Sequence, residues 1–125
     1  MKKNFHLGQS NEIVVGQNVY DIHNDYCIEE VVYNNKTSVL KLIFMPNDRD
    51  EELSIIFEKI RFLEIKKLDE KEKLYVEEMG YKDCGDNDDE WLLTENQSSE
   101  KSHLFLRLQN DDYIRVYAES AQLRL

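Results

Sequence analysis

Five carboxylates fall within eight residues: Asp83, Asp86, Asp88, Asp89 and Glu90, with Cys84 and Gly85 among them and Trp91 directly after. Side chains of this kind could bind a cation, line a solvated loop, or dock a basic partner. A calcium loop needs oxygen ligands at alternating positions, a central glycine and a distant glutamate. Here Gly85 precedes the acids, and Asp88 and Asp89 are adjacent, so that pattern fails. A basic partner fits better. Concentrated negative charge speeds the encounter with such a partner and excludes acidic competitors. Trp91 supplies the apolar anchor that charge lacks. The expected contact surface is therefore Asp83, Asp86, Asp88, Asp89, Glu90 and Trp91, flanked by Glu77 and Glu78. The plainer alternatives are a solvated loop between strands and a tryptophan packed in the core.

A second cluster runs Asp21-Ile22-His23-Asn24-Asp25-Tyr26-Cys27. His23 and Cys27 would make a thiolate–imidazole pair if a turn folded them together, which is the basis of the alternative reading as a small enzyme or ligand-binding β-domain. Against it, a strand begins near Cys27, and a buried, extended cysteine is inert. A strand-leading turn built on Asn24 and Asp25 accounts for the same residues. The two cysteines are 57 residues apart, with no CxxC and no HExxH, so zinc is not expected. His6 and His103 stand alone, and His103 alternates with Leu104, which places it on a strand surface. Neither a GxSxG elbow nor a glycine-rich phosphate loop is present. No catalytic residue, metal or cofactor is expected.

The charge is unevenly spread. Residues 68–100 hold twelve acids and three lysines, or −9 of the chain's total of −10. So acidic a chain is repelled by phosphate backbones, which argues against direct nucleic-acid binding. At 125 residues, 41% hydrophobic and 34% charged, it is expected to form a single domain, 1–125, with a core of its own. No stretch approaches the roughly 20 apolar residues of a membrane span. Lys2 and Lys3 are followed by no apolar run, so a soluble, cytoplasmic protein with both thiols free is expected.

The elements that must position these residues are mostly strands. Residues 28–33 and 39–45 alternate around the turn Asn34-Asn35-Lys36-Thr37, where asparagine tolerates positive φ. Pro46 to Asp50 forms the next turn. Leu53, Ile55 and Phe57 alternate, and the apolar phase then slips between Phe62 and Leu63 through a bulge there or a strand change near Glu58 and Lys59. Leu104, Leu106 and Leu108, then Ile114, Val116 and Ala118, form a closing pair about the turn 109–112. Residues 68–79 are rich in helix formers and end before Gly80, which predicts a short helix, with a strand around 74–76 as its rival. The fold class is mainly β, or α+β if the helix is substantial. It is an antiparallel sheet of about six to seven strands, curled or sandwich-like, with one short helical insertion.

Together these features resemble the small acidic immunity proteins of bacterial polymorphic-toxin and contact-dependent growth-inhibition systems. The resemblance lies in the Asp21 to Tyr26 turn, the hairpin from Ile28 to Met45, the run Ile55-Ile56-Phe57-Glu58-Lys59-Ile60-Arg61-Phe62 and the closing pair from Phe105 to Leu125. It implies a non-catalytic inhibitor that binds one cognate toxin, often a basic nuclease, over its active site or at an exosite. A monomer is expected, with a dimer as the alternative. The remaining alternative is a structural or adaptor subunit that uses Tyr113, Arg115 and Tyr117 as an exposed self-association face.

Overall fold

The computed structural model describes residues 1–48, 51–66, 73–88 and 90–125. The strands are β1 (Lys2–Lys3), β2 (His6–Leu7), β3 (Glu12–Val15), β4 (Asn18–Asp21), β5 (Tyr26–Asn34), β6 (Val39–Pro46), β7 (Leu53–Lys66), β8 (Val76–Lys82), β9 (His103–Leu108) and β10 (Tyr113–Arg124). One helical turn, α1 (Ile22–Asp25), precedes β5. The chain is mainly β. A curled antiparallel sheet in the order β5-β6-β7-β10-β9-β8 forms a half-barrel. β1 adds in parallel beside Ser120 and Ala121 of β10, and β2-β3-β4 make a separate small sheet.

The period-two pattern explains the curl. Leu40, Leu42 and Phe44 of β6 turn to one face, as do Leu53, Ile55 and Phe57 of β7, Leu104, Leu106 and Leu108 of β9, and Ile114, Val116 and Ala118 of β10. All are buried in one core, where each large side chain contributes about 1.5–3 kcal/mol. Phe5, Leu7 and Ile13 of the N-terminal segment and Ile22 of α1 belong to the same core. At one end the two edges of the half-barrel meet, where the Ile28 amide donates to the Leu74 carbonyl at 2.7 Å.

Both expected hairpins form, with differences in their turns. Asn34 acts through its side chain, which accepts from the amides of Lys36 (3.0 Å) and Thr37 (3.3 Å). The left-handed residue is Ser38, at φ 55°. In the closing hairpin Asn110 and Asp111 are left-handed, at φ 63° and 61°, and the Leu108 amide donates to Asp112 at 2.7 Å. β7 is one continuous strand. Its register against β10 steps from Phe62↔Tyr117 to Ile60↔Ala118, so the extra residue is Arg61, just before the position where the phase slip placed it.

Among the described residues the helix expected over 68–79 does not form, and Leu74 and Val76 pair as strand, as the rival reading had it. Residues 68–72 lie outside the described residues, and residues 76–79 are strand. A bulge between Val76 and Glu78 breaks the alternation and mimics helical spacing. The short α-helix among the described residues is α1, capped by Asp21, whose Oδ1 accepts from the Asn24 amide at 3.0 Å. The N-terminal strands β1 to β4 add to those expected from the sequence, and Gly16-Gln17 joins Val15 to Asn18 between β3 and β4. Gly16 there takes a φ of 58° in a two-residue hairpin loop.

A candidate docking surface on the acidic loop

The second face of β8, β9 and β10 carries polar and aromatic side chains in cross-strand register. Lys82 lies opposite His103, Gly80 opposite Phe105, and Phe105 opposite Arg115. Alternation alone leaves this face in solvent. The chain after Lys82 folds back over it instead, which buries His103 to 4% exposure and Arg115 to 5%. Neither is the surface residue that the alternation predicted. The self-association face of Tyr113, Arg115 and Tyr117 is likewise not exposed, since Arg115 is buried and both tyrosines are half-buried.

Arg115 organises the loop. Its Nη1 donates to the Asp86 carbonyl at 2.6 Å and its Nη2 to the Asp83 carbonyl at 3.0 Å. Its Nε donates to His103 Nδ1 at 2.9 Å. A guanidinium can only donate, so Nδ1 must be the unprotonated nitrogen of a neutral imidazole. Burial, and then the Arg115 charge, hold His103 below the ordinary histidine range, while Asp83 pulls the other way. The His103 ring lies against Phe62, with centroids 4.7 Å apart, and meets Tyr117 edge-on at 5.3 Å. Lys82 is 0% exposed, and its Nζ has no hydrogen bond; Asp86 Oδ2 stands 3.8 Å away.

The loop also holds itself. Asp83 Oδ1 accepts from the Ser102 hydroxyl at 3.0 Å, Asp86 Oδ1 from the Asp88 amide at 2.9 Å, and Asp88 Oδ1 from the Glu90 amide at 2.8 Å. Gly85 supplies the left-handed turn, at φ 86°. At its far end the chain returns to β8, where Tyr81 and Leu93 exchange backbone hydrogen bonds of 2.9 and 2.8 Å. A side chain at Gly80 would put its Cβ 2.6 Å from that of Leu92, so only glycine admits this return. Glu95 is then tied down by Lys3, whose Nζ donates to its two oxygens at 2.7 and 3.0 Å and to the Tyr81 hydroxyl. Burial, and next the Glu95 carboxylate, push the Tyr81 phenol well above its usual range.

The expected site residues therefore separate. Asp83, Asp86 and Asp88 each spend one carboxylate oxygen on the loop's own architecture, although all three side chains are exposed. Asp88, Glu90 and Trp91 face outward, and Trp91 is 77% exposed, so it is not a core residue. Asp89 lies outside the described residues. Glu77 and Glu78 sit at the start of β8 rather than on a helix. Glu77 is exposed, and Glu78 pairs with Arg107 at 3.4 Å and shares a shallow groove with Glu90, Lys66 and Asp111. Sequence reasoning missed Lys82, Ser102, His103 and Arg115. The available signal was three bases at outward positions of strands that flank an acidic run.

His23 and Cys27 are not hydrogen-bonded to each other. His23 Nδ1 lies 2.7 Å from the Val76 carbonyl oxygen, while buried Cys27 directs Sγ to the Met45 carbonyl at 3.8 Å. Cys84 is exposed, and both thiols are free. A cleft of about 480 Å³ lies between residues 6–11 and 92–96. Its two carboxylates are already engaged, Glu95 with Lys3 and Glu78 with Arg107. The Asn11 side chain takes the β8 edge there, donating to the Glu77 carbonyl at 3.2 Å and accepting from the Met79 amide at 2.9 Å. Among the described residues, no helix is long and apolar enough to cross a membrane, and no group of three or more His, Cys, Asp or Glu side chains is arranged to hold a metal.

Comparison with family models, with curated proteins and with solved structures finds no match to this chain.

Proposed function

We propose that this chain is a non-catalytic binding protein that neutralises a basic protein partner, in the manner of the immunity proteins it resembles. The target on that reading is a bacterial toxin, with a nuclease as the expected class, met in the cytoplasm. The observation that carries the proposal is Trp91, a 77% exposed aromatic on a loop fixed at both ends, next to the outward carboxylates Asp88 and Glu90. A large exposed aromatic costs solvation in the free protein. Exposed among charges, it has the composition of an interface hot spot. A nuclease is positive where it meets phosphate, and this loop presents the opposite sign to that surface. Toxin and inhibitor would then compete with nucleic acid for one electrostatic field.

The test is capture of partners from the native cell in low salt, with wild-type chain and the variant Trp91→Ala/Glu90→Gln as parallel baits. A single basic protein, retained by wild type and lost by the variant, supports the reading if one equivalent of wild type also abolishes that protein's activity. Equal capture by both baits, or a captured protein whose activity is untouched, overturns it.

A further inference from the structure

The loop that carries Trp91 is held from beneath by a group that titrates. We infer that the acidic loop is closed by an acid-labile clasp: a proton taken up by His103 displaces Arg115, and Arg115 then releases the loop carbonyls of Asp83 and Asp86. The inference deepens the docking reading, because it names the condition under which the docking surface comes apart; that consequence rests on the reading, whereas the clasp itself does not.

Proton uptake and loss of the clasp are the same event. His103 Nδ1 accepts from Arg115 Nε at 2.9 Å, so the imidazole proton is on Nε2 and the only lone pair left to titrate is the one that holds Arg115. Protonation turns this acceptor into a donor that faces a donor. The guanidinium is a rigid planar fork, so displacement of Nε also moves Nη1 and Nη2, which hold Asp86 and Asp83 at 2.6 and 3.0 Å. The Phe62 ring lies over both the imidazole and the guanidinium, so the two groups share one covered face.

The surrounding charges favour release. On β8 the imidazole faces Lys82, which is buried and has no hydrogen bond. On β10 it faces Arg115 and the Tyr117 phenol. From the loop the Asp83 carboxylate favours the imidazolium, while the Asp86 carboxylate stands beside Lys82 at 3.8 Å. One strand further, on β7, Glu64 is in register with Arg115 but exposed, and it already accepts the Tyr113 hydroxyl. Two buried cations are thus balanced by two carboxylates, and a third cation upsets that balance at a site shielded from solvent.

The clasp is tested on the free protein by two-dimensional amide NMR from about pH 7.5 to about pH 5.0, the window in which histidine alone among unperturbed side chains changes charge. The amides of residues 83–88 are expected to shift with the same midpoint as the His103 ring, with hydrogen exchange in the loop about tenfold faster at the acid end once corrected for intrinsic rate. His103→Asn keeps an acceptor near the Nδ1 position and does not titrate, so its loop should show no transition in this window. Loop amides that stay still while His103 titrates, or that move equally in His103→Asn, overturn the inference. If that variant fails to fold, the Arg115 Nε–H resonance of wild type decides: it must be lost at the His103 midpoint, and its persistence overturns the inference. None of these readings needs a partner, so failure to capture one at neutral pH counts against docking alone.

Discussion

The imidazole of His23 reaches the carbonyl oxygen of Val76, Nδ1 to O 2.7 Å, from a helical turn to a strand fifty-three residues on. A carbonyl only accepts, so Nδ1 carries the proton. With the bond between Ile28 and Leu74, this contact joins α1 and β5 to the start of β8, where the half-barrel would otherwise stand open. A residue that sequence reasoning weighed as half of a catalytic pair is here part of the seam.

His23→Ala removes that bond and leaves the Val76 carbonyl short of a partner. The expected loss is about 1 kcal/mol, measured by urea unfolding at neutral pH. An unchanged midpoint with an unchanged slope would show that the seam does not depend on His23.

Lys82→Met should stabilise the protein, by about 1 kcal/mol. The ammonium is fully buried with no hydrogen bond and one carboxylate at 3.8 Å, a geometry that rarely recovers the cost of desolvation. Methionine keeps most of the buried stem, and Arg115 still holds the loop. The same unfolding experiment reads the result, and a large loss of stability would mean that Lys82 is paired more closely than its distance from Asp86 indicates.

Stability should fall on mild acidification. His103 titrates below its unfolded value in the folded chain, so the folded state binds the proton less well than the unfolded state. Its contribution is complete above the ordinary histidine range, near pH 6.5, and is lost as the pH drops through that range towards the lowered folded value. Asp21 acts in the same direction at lower pH. The Asn24 side chain and amide hold its carboxylate below the ordinary range, and that contribution is lost as the carboxylate protonates. Burial lowers the Met1 amine in the same sense, so unfolding midpoints in steps between about pH 7.5 and 5.0 should fall more steeply for wild type than for His103→Asn.

Thiol accessibility separates the two cysteines. A thiol reagent should label one site per native chain, Cys84, and two after unfolding, because Cys27 is buried against the Met45 carbonyl. Rapid labelling of Cys27 in the folded protein would restore the thiol chemistry that its position argues against.

The sequence revealed the strands whose alternation is unbroken. β6, β9 and β10 could be read from Leu40 to Phe44, Leu104 to Leu108 and Ile114 to Ala118, because one buried face imposes a period of two. β8 was obscured by a single extra residue. The bulge at Glu77 puts Val76 and Met79 on one face three residues apart, which is helical spacing, and the Gly80 that looked like a helix stop is there to admit Leu92. For the acidic loop, composition located the charge but gave no direction for it. Whether an aspartate faces a partner or an arginine beneath it depends on contacts between residues about thirty apart, such as Asp83 with Arg115, and no local pattern encodes these.

The long ribbon of β7 and β10 also bears on synthesis. β7 is made midway along the chain but finds its main partner only when β10 has been translated, and β9 also waits for β10 to join it to the rest of the sheet. From the completion of β7 until that of β10 the nascent chain would therefore present β7, rich in isoleucine and phenylalanine, with one edge unpaired. Contacts this distant in sequence fold slowly, on a scale of about milliseconds to seconds. Chaperone dependence, and yield that declines sharply as expression temperature rises, are the handling properties to expect of such a topology.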